Sequence, residues 1–198
     1  MLNYRRVRLG QLGTAPTVAF AAAELGRCLR RMDPALRVDV LRLDHPDPDM
    51  SDVLWVGRDS ALNAPLPEVA DPALDDAVAI RVENGAGYIT GTNDRSVLLA
   101  AYRFLRALGF AWVCPGPEGE RVPAWPEGGL AASVVEAPSR RHRGVCIEGA
   151  NTYDNLLDMI DFLPKVGMNA YFMQFMAPFT FLSAGTATPA TRCSPPSP

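Results

Sequence analysis

Ala77-Val78-Ala79-Ile80-Arg81-Val82, then Glu83-Asn84-Gly85-Ala86-Gly87, then Tyr88-Ile89-Thr90 run on without a break into Gly91-Thr92-Asn93-Asp94. Two apolar runs around a glycine-bearing turn predict a β-hairpin. The polar stretch after it predicts the start of a helix. Asn93 or Asp94 is placed to cap that helix, because a short polar oxygen reaches the free N–H groups of a first turn. Val97, Ala101, Phe104, Leu105 and Leu108 then recur at helical steps, and Gly109 stops the run. A hairpin that feeds an amphipathic helix needs a sheet on which to lay that helix.

Upstream, Val7 to Leu9 reads as a strand and Gly10 to Thr14 as a turn. A second amphipathic helix follows: Val18, Ala21, Leu25, Cys28, Leu29 and Met32 share one face, with Glu24, Arg27, Arg30 and Arg31 on the other. Pro16 fits its first turn, where a missing N–H costs nothing. Val38 to Leu41 and Val53 to Val56 read as strands, separated by an acidic, proline-broken loop from Asp44 to Asp52. Two helical stripes and one sheet bury each other best when both helices lie on one face. The expected class is therefore α+β, a mixed sheet with two helices on one face.

Downstream the pattern changes. Residues 1–122 read as this α+β domain, 123–138 as a proline-bearing linker, and 139–182 as a strand–helix–strand unit. Val145 to Ile147 and Ala170 to Phe175 are its strands. Between them, Asn151 or Thr152 caps a helix with Leu156, Met159, Ile160 and Leu163 inward and Asp154, Asp158 and Asp161 outward. Such units build parallel sheets and barrels. Residues 183–198 hold four prolines and no large apolar residue, which predicts disorder. Their codons, read two bases out of register, can spell Arg-Trp-Tyr-x-His-Pro, so the tail is expected to be frameshifted.

Composition excludes several functions. The net charge is −3, from 19 basic and 22 acidic residues, which leaves no basic footprint for nucleic acid or acidic lipid. No apolar run approaches the roughly 20 residues of a membrane helix, and no secretory leader is visible, so a cytoplasmic location is expected. Cys28, Cys114, Cys146 and Cys193 are far apart, and His45 and His142 are the two histidines. Neither a disulfide frame nor a metal site is expected, and no cofactor.

Few residues carry a chemical signal. Gly85-Ala86-Gly87 precedes a strand, whereas phosphate binding needs glycines leading into a helix. Asp94 brings its own negative charge to the next helix start, which favours a cap over an anion site. Asp154, Asp158 and Asp161 have the spacing of an ordinary solvated helix face. Glu148 and Gln174 end successive parallel strands, where barrel enzymes place their chemistry. Trp112 and Trp125 offer either a flat face to a sugar or core packing.

Two stretches resemble a known family. Tyr88 to Leu98, with Tyr102-Arg103-Phe104-Leu105 and Leu108-Gly109-Phe110-Ala111-Trp112 through Pro115-Gly116, is similar to the non-catalytic domain that precedes the barrel in family 20 hexosaminidases and family 67 α-glucuronidases. Arg143-Gly144-Val145-Cys146-Ile147-Glu148, Leu157-Asp158-Met159-Ile160-Asp161 and Gly167-Met168-Asn169-Ala170-Tyr171-Phe172 resemble the first strand, helix and second strand of the attached (β/α)8 barrel. The likeness is greatest to bacterial α-glucuronidase-like glycoside hydrolases. It implies an oligosaccharide substrate and a sugar-facing set of Arg143, Glu148, Asn151 and Gln174. Asn151 stands where the hexosaminidase pattern has a sugar-binding arginine, and Gln174 and Ala177 stand where it has histidine and aspartate. Hexosaminidase specificity is not supported. Glycoside hydrolysis needs two carboxyl groups flanking the bond. In these families they come from later strands, so no catalytic residue is expected here and the chain is expected to be inactive alone. The rival reading is a non-catalytic carbohydrate- or protein-binding module.

Overall fold

A computed structural model of the chain describes residues 5–148 and 152–174. The elements run β1 (Arg6–Leu12), α1 (Pro16–Met32), β2 (Arg37–Leu43), β3 (Val53–Arg58), the single turn α2 (Asp59–Leu62), β4 (Val78–Glu83), β5 (Ala86–Gly91) and α3 (Asp94–Ala107). They continue with β6 (Ala111–Trp112), β7 (Glu120–Arg121), β8 (Ala132–Glu136), β9 (Gly144–Glu148), α4 (Tyr153–Lys165) and β10 (Ala170–Gln174).

Six strands form one mixed sheet in the order β2-β1-β3-β5-β4-β8. The first four run parallel to one another, while β4 runs antiparallel to both β5 and β8. The β4–β5 hairpin closes through Asn84 (φ 53°) and Gly85 (φ 81°), with Glu83 opposite Ala86. Positive φ at both turn residues gives the twist that antiparallel strands need, and Asn-Gly tolerates it best.

Helices α1 and α3 share one face of the sheet. Val18, Leu25 and Leu29 from α1 and Val97, Phe104 and Leu105 from α3 enter a single buried cluster with Leu9, Leu54, Ile80 and Ile89. Each such side chain contributes roughly 1.5–3 kcal/mol by leaving water. The opposite face carries a smaller cluster of Leu12, Val53 and Trp55, covered by Leu43, Met50 and Leu62. Gly10 on β1 belongs to that face. A Cβ there would collide with the Trp55 ring, so the indole lies across β1 only because position 10 is bare.

The stretch expected as a linker contains a strand. β8 pairs with β4 from Val78↔Glu136 to Val82↔Ala132 and forms one edge of the sheet. Ala132 and Val134 pack on the main core, while Val135 points outward. Two inward residues between proline-bearing flanks are too few to give a period-2 signal, yet a paired edge strand needs little more.

β9 and β10 form a separate parallel pair joined by α4. Thr152 caps α4, its Oγ1 accepting from Asn155 N at 3.2 Å. Leu156 and Leu163 are buried, and Phe162 and Val166 pack on the main core. Ile160, expected to face inward, is 50% exposed, and Phe172 is 61% exposed. A two-stranded sheet is narrow, so α4 leans on the neighbouring α3 side and leaves part of its own stripe uncovered. The tail of 183–198 and the residues 149–151 lie outside the described residues. Among those described, no helix is long and apolar enough to cross a membrane.

Candidate functional site

The parallel register of β9 and β10 sets Glu148 directly beside Gln174, so the two strands finish level with each other. Gln174 is exposed, and its Oε1 accepts from the Cys146 thiol at 3.8 Å. The side chain of Glu148 and all of Asn151 lie outside the described residues. The strand ends thus gather two of the four expected sugar-facing positions. Arg143 immediately precedes the opposite end of β9, five residues or about 16 Å away along the strand.

Arg143 belongs instead to a joint built around Asp76, which lies just before β4. The Asp76 side chain is 0% exposed. Its Oδ1 accepts from Arg95 Nε at 3.0 Å and Ser96 Oγ at 2.7 Å. Its Oδ2 accepts from Arg143 Nη2 and Asn169 Nδ2, both at 2.8 Å. Arg95 and Ser96 form the first turn of α3, whose cap is Asn93, accepting from Ser96 N at 3.0 Å. Arg143 and Asn169 immediately precede β9 and β10. One carboxylate therefore fastens the start of a helix to the starts of both extra strands.

Burial alone would push the Asp76 carboxyl up. Hydrogen bonds from Arg143, Ser96 and Arg95 outweigh it and hold the group below the ordinary carboxylate range. The rest of the joint is equally saturated. Arg143 Nε donates to Gly167 O at 3.0 Å, and its Nη1 donates to the carbonyls of Arg140 and Arg141 at 2.8 and 3.1 Å. Asp75 pairs beside it with Arg141 at 2.6 and 3.1 Å. An ionised carboxylate with both oxygens occupied has no proton to give and no open side for a substrate. The arrangement fixes orientation; it does not do acid–base chemistry.

A second buried carboxylate, Glu120 on β7, organises the other end of the helical layer. Oε1 accepts from Arg31 Nη1 at 2.6 Å, and Oε2 accepts from Arg27 Nη2 at 3.1 Å and Trp112 Nε1 at 3.0 Å. Arg27 also pairs with Glu24 at 2.7 Å, and Glu24 accepts from Tyr102 OH at 3.0 Å. Burial works against the Glu120 charge, but the bonds from Arg27 and Trp112 prevail and keep it below its usual range. The adjacent Cys28 thiol is pushed up to about 12 by burial, which leaves it unreactive.

This cluster decides the role of Trp112. The ring is buried, meets Tyr102 edge-on at 5.5 Å and stacks on Phe110 at 5.6 Å. It has no free face for a sugar. Trp125 is half-buried, with the Arg5 guanidinium over its ring at 5.2 Å, and lines a hollow of about 560 Å³ together with Arg8, Asn84 and Glu127. Asp154 and Asp161 are exposed on α4. Among the described residues no group of three or more His, Cys, Asp or Glu is placed to hold a metal ion.

Asp76 and Glu120 are the charged residues that sequence reasoning passed over. Asp75-Asp76 directly before an apolar strand is a faint signal, since a carboxylate at such a place has to be paired. Glu120, between Gly119 and Arg121, offers no pattern at all. No protein-family model matches the chain, and no curated protein matches it.

Proposed function

We propose that this chain is the N-terminal accessory domain and the first strand–helix–strand unit of a glycoside hydrolase-like protein acting on an oligosaccharide that carries a uronic acid. The observation that carries this reading is the parallel β9–β10 pair. Its strands finish level at Glu148 and Gln174, each has an unpaired outer edge among the described residues, and the pair is docked on an independent mixed sheet. A barrel grows by adding parallel strands to such edges, with its chemistry at their carboxyl ends. On this reading the accessory sheet serves as a base that orients the first barrel strands through Asp76. The catalytic carboxyl pair comes from strands after β10, so the 198-residue chain hydrolyses nothing by itself. Cytoplasmic residence accords with it. The test is to append the downstream coding sequence and assay aryl glycosides and uronides. Activity in the extended protein, lost in Glu148→Gln and absent from the 198-residue chain, supports the reading. Hydrolysis by the chain alone, or the absence of any barrel-like reading frame downstream, defeats it.

A second reading, a non-catalytic carbohydrate-binding module, is favoured by one observation: the Trp125 ring beside a polar hollow. Glycan-array binding that disappears in Trp125→Ala would support it, and binding insensitive to that substitution would count against it.

A further inference from the structure

A hollow of about 320 Å³ opens where α3, the end of β8 and the end of α4 meet. Its volume stands at the small end of the roughly 300–1,000 Å³ typical of small-molecule sites. The inner surface is apolar, with Val78 and Leu99 buried beneath and Pro138 and Pro164 as walls. Four cationic side chains border it. Arg103 is paired with Glu136 at 2.9 Å, Arg143 with Asp76 at 2.8 Å, and Lys165 with Asp161 outside the hollow. Arg106 is the fourth. It is exposed at the mouth and has no hydrogen-bond or ion-pair partner among the described residues.

Asp76 already answers Arg95 as well as Arg143, so it does not neutralise the excess. The hollow therefore combines an apolar interior with one uncompensated guanidinium. We infer that it binds a small organic monocarboxylate with an apolar ring or chain, the body on Val78 and Leu99 and the carboxylate on Arg106. Guanidinium suits this role because its planar fork meets a carboxylate with two parallel N–H donors. A ligand polar on every side would leave Val78 and Leu99 facing hydroxyl groups, which separates this site from one built for a sugar. The site is separate from the strand ends of the glycosidase reading, since neither Glu148 nor Gln174 lines it, and Arg143 borders it with its guanidinium already held by Asp76.

Occupancy also has a structural effect. Val78, Leu99 and Arg106 belong to the sheet unit, and Pro164 to α4, so one ligand touches both sides of the joint. A ligand that needs both sides in place stabilises the docking of α4 on the sheet unit by mass action.

The experiment uses the full 198-residue chain, with cyclohexanecarboxylate as probe and cyclohexanecarboxamide as its uncharged counterpart. Binding is followed by amide chemical shifts, including those of Leu99 and Gly167. Saturable millimolar binding of the carboxylate, with shifts centred on those two amides, is expected. Arg106→Ala lies at the exposed mouth and should weaken binding about tenfold, the worth of one charge-assisted contact. Arg106→Lys should recover part of it. Equal binding of the carboxamide, an unchanged affinity in Arg106→Ala, or no saturable binding in the millimolar range would each overturn the assignment.

Discussion

The six-stranded sheet and the β9–α4–β10 unit solve the same problem by different means. The sheet is closed on one face by α1 and α3, and on the other Met50 and Leu62 cover the part formed by Leu12, Val53 and Trp55. The smaller unit leaves Leu157, Ile160 and Phe172 in water and is attached by a buried carboxylate with four donors. Apolar burial is non-directional and cheap to satisfy, so it determines that the sheet folds. A saturated polar joint adds little net free energy but admits one geometry, so it determines how the second unit sits.

That contrast breaks most visibly if the large core is opened. Phe104→Ala should destabilise the whole chain by about 3–5 kcal/mol, since it removes an aromatic ring from between α3 and the sheet. Urea unfolding would measure it. A loss confined to residues 144–174, read by hydrogen exchange, would show that the ring supports the smaller unit and not the sheet. Asp76→Ala comes next, at about 3 kcal/mol, because half-buried Arg143, Asn169 and the buried Ser96 hydroxyl all lose their acceptor. Hydrogen exchange should show that cost in the amides of 144–174 first, with the interior strands β1 and β3 still protected. Uniform loss of protection would mean that the joint supports the sheet as well.

Acidification is a milder form of the same break. The folded Asp76 carboxyl titrates below its unfolded value, so its contribution is complete above the ordinary aspartate pKa of about 4 and is lost as pH falls through the folded value. Exchange of the 144–174 amides should therefore accelerate on the acid side, and Asp76→Asn should flatten that limb. Glu120 has the same sign and lies in the sheet unit, so a parallel acid loss there is expected and is removed by Glu120→Gln. Smallest of all is Phe172→Ser, expected within about 0.5 kcal/mol because the ring is already in water. A loss several times larger, by urea unfolding, would show that the ring is covered in solution.

Legibility in the sequence follows the same division. Helical stripes such as Val97, Ala101, Phe104 and Leu108 announce themselves because burial repeats with the helical period, and Asn-Gly announces its turn by its backbone geometry. Both helices on one face of a mixed sheet were expected and are found. β8 was concealed by its proline-bearing flanks, and Ile160 was misplaced because periodicity says which residues share a face, not whether that face finds a neighbour. The joint was hidden for a further reason. Asp76, Ser96, Arg143 and Asn169 meet through the tertiary fold, and separations of 20, 67 and 93 residues leave no local pattern. Of the four residues expected to face a sugar, Gln174 and the backbone of Glu148 stand together as their strand ends require, while Arg143 has been drawn into the joint.

Those separations also order assembly. Holding Ser96 to Asp76 closes a loop of about 20 residues, and holding Arg143 closes one of 67, a difference of about 1 kcal/mol in chain entropy. Oδ1 is thus occupied by α3 while Oδ2 still faces water. The half-filled carboxylate, already fixed in place, is then a landing mark for Arg143 and Asn169: the sheet domain offers the later unit a set position whichever way that unit forms its own strand pair.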